Sequence, residues 1–103
     1  MKGFGNLIKQ AQELQARMAA LQEEMGKREV EASAGGGMVR AVVNGRQDLV
    51  SLTIEKEVVN SEDVEMLQDL ILAAVNEAIA RSKEMVRTEM TKLTGGITIP
   101  GLF

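Results

Sequence analysis

Between Leu7 and Met25 the apolar residues recur as Leu7, Ala11, Leu14, Met18, Leu21 and Met25, in steps of four and three that trace the seam of one amphipathic helix. Lys9, Gln10, Gln12, Glu13, Gln15, Arg17, Gln22, Glu23 and Glu24 fill the positions between and suit both helix and water. Asn6 is placed to cap the helix start, which leaves residues 1–5, with Gly3 and Gly5, as a flexible lead-in. Gly26, followed by Lys27 and Arg28, marks its end. From Glu29 the period drops to two. Val30, Ala32 and Ala34 alternate with Glu29, Glu31 and Ser33, the pattern of a half-buried strand.

Gly35, Gly36 and Gly37 read as a turn, because the helix start and Lys-Ser or Lys-Thr pair of a phosphate-cradling loop do not follow. A second strand, Met38 to Val43, sets Val39, Ala41 and Val43 on one face and Met38, Arg40 and Val42 on the other, where a second chain could cover Val42. Asn44 and Gly45 both tolerate positive φ and predict a tight hairpin. Leu49 to Ile54 returns as the third strand, with Val50, Leu52 and Ile54 toward the core. Asn60 or Ser61 then caps a long helix from Glu62 to about Thr94. Glu62, Asp63 and Glu65 sit in its first turn, where the helix dipole explains an acidic cluster without a metal. Its apolar band runs through Leu67, Leu70, Ile71, Ala74, Val75, Ala78 and Ile79, and thins to Met85, Val86, Met90 and Leu93. Gly95 and Gly96 end it, and residues 97–103 form a flexible, Pro-containing tail.

These elements predict one α+β domain over residues 1–103: a long N-terminal helix, a three-stranded antiparallel meander and a long C-terminal helix. A helix of about 33 residues spans roughly 50 Å, whereas a compact domain of this size has a radius of gyration of about 13 Å. The second helix must therefore project past its sheet, with the first as antiparallel companion and the free ends together. The broad apolar band and the sheet call for further cover, and a two-fold homodimer with projecting helical arms is the simplest.

Composition narrows the chemistry. The chain has no Cys, His, Tyr or Trp, so disulfides, thiolate metal sites and the common nucleophile and base pairs are missing. An enzyme is the weakest reading, and no cofactor, metal or small-molecule substrate is expected. With neither a signal-like nor a membrane-length apolar run, the expected location is the cytoplasm. The formal charge is −3, but it is unevenly spread. Lys2, Lys9 and Arg17 stand against Glu13 at one end, and Arg81, Lys83, Arg87 and Lys92 against Glu84 and Glu89 at the other. Each end carries +2 and the 57 residues between them −7. Two pairs of basic arms on an acidic base could hold a linear polyanion, with those seven basic side chains as contacts. Lys9, Glu13 and Arg17 also step by four along one face, as a ladder of weak ion pairs would.

The run Asn6, Leu7, Ile8, Lys9, Gln10, Ala11, Gln12, with Leu14, Gln15, Met18, Gln22, Glu23 and Glu24, closely resembles the opening helix of the YbaB/EbfC nucleoid-associated proteins. The likeness continues through Gly35 to Val39 and Asn44, Gly45, resumes at Glu65 to Ile71 with Ala73, Ala74, Asn76 and Ala78, and closes at Pro100 to Phe103. It implies a bacterial homodimer with tweezer-like helices that binds DNA with little sequence preference, alters its conformation, and serves nucleoid organisation or gene regulation. Only Lys9 among the basic residues lies inside a matched motif. Contacts from Lys and Arg to phosphates position a protein without reading bases. The scarcity of aromatics, Phe4 and Phe103 alone, favours duplex over stacked single strands. The alternative is a dimeric scaffold whose heptad faces bind a protein partner.

Overall fold

The computed structural model describes residues 2–93, the side chain of Lys2 excepted. The order is α1 (Lys2–Lys27), β1 (Glu29–Ala34), β2 (Val39–Asn44), β3 (Leu49–Ile54), a single 3-10 turn at Lys56–Val58, and α2 (Val64–Leu93). The three strands form one antiparallel sheet in the order β1-β2-β3. The molecule is a rod of 74 × 20 × 17 Å with a radius of gyration of 19.5 Å, well above the value of about 13 Å for a compact chain of this length.

The core lies between α2 and the first two strands. Ala32 of β1, Val39, Ala41 and Val43 of β2, and Ala74 and Ala78 of α2 are all buried. Alanines on both surfaces let the helix axis approach the sheet closely, and Val30, Ile54, Leu67, Ile71, Val75 and Ile79 close the sides. Gly35 contributes by absence: a Cβ there would lie 2.9 Å from Leu70 Cδ2. The three glycines of the β1–β2 turn all have positive φ, at 64°, 67° and 92°, which only glycine adopts freely.

The hairpin between β2 and β3 differs from the expected Asn-Gly turn. Neither Asn44 nor Gly45 has positive φ; Gln47 does, at 63°. Gln47 N donates to Asn44 O and Asn44 N to Asp48 O, each at 3.0 Å, which closes a three-residue loop of the kind whose last residue is left-handed. Asn44 Oδ1 accepts from Arg46 N at 2.9 Å and Asp48 N at 3.1 Å. Gly45 is needed for space: a Cβ on it would run into the carbonyl of Met25. Its own N–H donates to Arg28 O, so the loop clamps the end of α1.

Other boundaries shift for identifiable reasons. α1 begins at Lys2, so residues 2–5 extend the helix and Asn6 is internal; glycines weaken a helix by about 1 kcal/mol each without forbidding it. At α2 the cap is Asp63, whose Oδ1 accepts from Met66 N at 3.2 Å. Asn60 instead turns the preceding chain by accepting from Glu62 N. The helix stop at Gly95 and Gly96 and the tail 97–103 lie outside the described residues.

Two larger corrections concern cover. On β3 a bulge opposite Val42 and Val43 pairs Val43 with Leu49 and Ala41 with Leu52, so Leu49 rather than Val50 joins the inner face. Only Ile54 packs on the core, because α2 crosses β1 and β2 and scarcely touches β3. Leu49, Val50 and Leu52 stay exposed. The free ends of the helices also do not coincide. Ser82 of α2 sits at the hairpin, its hydroxyl donating to Asn44 O at 2.6 Å, which leaves about 17 Å of α2 beyond the sheet against about 39 Å for the whole of α1. Met25, Val86 and Met90 line one cleft with Ala19 and Gln22, and farther out no described residue of α2 accompanies α1.

Candidate nucleic-acid interface

The far stretch of α1 carries cations that no described residue engages. Lys9 lies about 24 Å along the helix from Met25, and Arg17 two turns nearer. Both are exposed, and neither makes a hydrogen bond or ion pair among the described residues. The expected ladder through Glu13 is not formed. Lys83 is likewise exposed and unengaged among the described residues. Arg87, one turn further along the same face of α2, lies 3.8 Å from Glu84 with both side chains more than half exposed. An exposed pair of that kind contributes about 0–1 kcal/mol, too little to hold the arginine against a phosphate.

Two of the candidate contacts have structural duties. Arg81 Nη1 donates to the Glu31 carbonyl at 2.9 Å and its Nε to Glu77 Oε1 at 3.2 Å, which pins α2 to β1 rather than standing on an arm. Lys92 Nζ lies 3.2 Å from Glu89 Oε1, and Arg28 Nη1 is 3.8 Å from the same oxygen. Glu89 thus ties the end of α1 to α2. Lys2 has no described side chain.

The tertiary structure adds one cation that the charge pattern concealed. Arg46 falls within the acidic middle of the sequence, yet the hairpin carries it to the root of the arms. There its side chain crosses Gly26 and lines the cleft with Gln22, Val86 and Met90. No sequence signal marks it, because its placement depends on the hairpin packing against α1. At the opposite end of the rod, Asp63 caps α2. Among the described residues no three acidic side chains are grouped to hold a metal, and no helix is long and apolar enough to cross a membrane.

Residues 1–97 match the model of the YbaB/EbfC DNA-binding family. The chain belongs to the YbaB/EbfC family. This is a family of nucleoid-associated DNA-binding proteins and not of enzymes. A nucleoid-associated protein of Moorella thermoacetica is 60% identical over 102 residues, covering 96% of this chain and 98% of that one. One of Acetivibrio thermocellus is 58% identical over 106 residues, covering 98% and 94%. The crystal structure of the uncharacterized protein HP0035 from Helicobacter pylori superposes with a TM-score of 0.77 at 25% identity, over 89% of this chain and 97% of that one. The helix, three-stranded sheet and helix described above are thus an architecture shared within solved structures.

Proposed function

We propose that the protein is a nucleoid-associated protein of the bacterial cytoplasm that binds duplex DNA through phosphate contacts, with little sequence preference, as a homodimer. The single observation that carries this reading is the placement of Lys9 and Arg17, exposed and unengaged on the part of α1 that stands clear of the acidic sheet. Lys83 and Arg87 add charge on α2, and Arg46 at the root of the arms. Arg81 and Lys92 reach phosphate only by leaving Glu31 and Glu77, or Glu89, and Lys2 is a further candidate by its place in the sequence. The names of the relatives support nucleoid association. Exposed Leu49 and Leu52, with Val50 at the bulge between them, form the apolar face on which a second copy closes.

The test is titration of mixed-sequence duplex at about 50 and 200 mM salt, with mass in solution measured alongside. Each neutralised phosphate contributes about 0.9 to the log–log salt slope. Lys9→Gln/Arg17→Gln/Lys83→Gln/Arg87→Gln should keep the wild-type helical content, flatten the slope and lower affinity about tenfold or more at the lower salt. Unchanged affinity and slope in that variant would remove the arm contacts from the account. Leu52→Asp should leave a helical monomer, since Leu52 lies outside the α2 core; a dimer mass for Leu52→Asp would count against the interface.

A further inference from the structure

At its inner end α1 meets the β2–β3 hairpin residue for residue. Gly45 N donates to Arg28 O at 3.1 Å, Gly45 leaves no room for a Cβ beside the Met25 carbonyl, and the Arg46 side chain crosses Gly26, where a Cβ would come 2.7 Å from its Nε. The hairpin is in turn held to α2 by Ser82, which is 0% exposed. The Ser82 hydroxyl donates to Asn44 O at 2.6 Å and accepts from Gln47 Nε2 at 3.2 Å, and the same Nε2 donates to Gly45 O at 2.9 Å. Ser82 therefore bonds both sides of the loop. Gln47 is the one non-glycine residue with positive φ among the described residues, a conformation that side chains other than Asn, Asp and His seldom adopt, and there its amide reaches both Gly45 and Ser82.

We infer that Ser82, together with Gln47, is a positioning residue for DNA binding: bonded to the hairpin from α2, it fixes the direction in which α1 leaves the sheet, and so the place of Lys9 and Arg17. The consequence for DNA rests on the proposed function; the geometry does not. A small contact matters here because α1 is a lever. Lys9 stands about 24 Å along the helix from Met25, so a tilt of about 10° at that root carries it about 4 Å, farther than the ~3 Å length of a hydrogen bond to a phosphate oxygen. Lys83, next to Ser82 on α2, stays where it is. Apolar contact does not set this angle by itself, since the unbranched Met25 side chain adapts to many packings, whereas hydrogen bonds are directional. A hydroxyl buried so completely is bound to these partners, because leaving them unpaired away from water is costly.

The chain has no native cysteine, so spin labels at Gln12→Cys and Ala73→Cys, both exposed positions, report the arm direction within one chain when labelled protein is diluted into unlabelled. Ser82→Ala and Gln47→Gly, the second keeping a left-handed backbone without strain, should each shift or broaden that distance by a few ångströms while the helical content is kept. Asp63→Ala, which loosens α2 at its other end, should leave it unchanged. Without labels, Ser82→Ala and Gln47→Gly should bind mixed-sequence duplex about threefold or more weakly at about 50 mM salt. Added to Lys9→Gln/Arg17→Gln, Ser82→Ala should cost no further affinity, because it acts through those two side chains. An unchanged distance in both variants would overturn the inference, as would unchanged affinity, or a further fall of equal size in the combined variant. A parent chain that fails to bind duplex would overturn the proposed function and this role with it, and is told apart because the distance, measured without DNA, still responds.

Discussion

α1 and α2 have similar length and comparable apolar periodicity, yet they end in opposite environments. α2 buries Ala74, Ala78, Ser82 and Met90, whereas among the described side chains of α1 only Met25 is buried. The difference lies in what each helix meets. α2 leaves the sheet through a short connector and lies back across β1 and β2 before it projects. α1 joins the sheet end-on, at the hairpin, and touches the fold through its last turns. An apolar stripe therefore fixes which side of a helix needs cover, and the chain's connections fix whether the same protomer supplies it.

The largest effect expected from this contrast comes at Met25. Met25→Ala removes a side chain that is 1% exposed and should cost about 2–5 kcal/mol, while Leu7→Ala, on the same seam, should change stability by less than about 0.5 kcal/mol. Thermal unfolding at one protein concentration compares the two, and equal losses would mean that the outer stretch of α1 is buried as deeply as its root. Next in size is Gly45→Ala, which forces a methyl against the Met25 carbonyl. A loss of about 1–3 kcal/mol is expected, with faster amide exchange in the last turns of α1 and none in the centre of α2. Smallest is Asp63→Ala, which removes the α2 cap at a cost of about 1 kcal/mol. Its faster exchange should be confined to the amides of Glu65 and Met66, and a matching change in α1 would show that the two helices are coupled more tightly than their short overlap implies.

Much of this architecture was legible in residue order. Val30, Ala32 and Ala34 alternate in β1 as their period demanded, and the glycines at 35–37 make the turn. Acidic residues at 62–65 signalled a helix start, although the cap moved to Asp63. The candidate interface was legible only in outline. Charge segregation indicated both basic ends, but it could not separate Lys9, which nothing in the described fold engages, from Arg81, held by a carbonyl fifty residues away. Nor could it find Arg46, because local pattern carries no information about which loop packs on which helix. Gly45 illustrates the same limit: the residue was right for a hairpin, and the reason was a close approach from another element.

Local forces set the elements here. Helical period, strand alternation, glycine turns and end charges are properties of neighbours along the chain, and they determined two long helices, a three-stranded meander and the basic character of both ends. Only the packed structure decided that α2 covers two strands and spares the third, that α1 extends past the described end of α2, and which cations no described residue engages, since these depend on contacts between residues far apart in the chain.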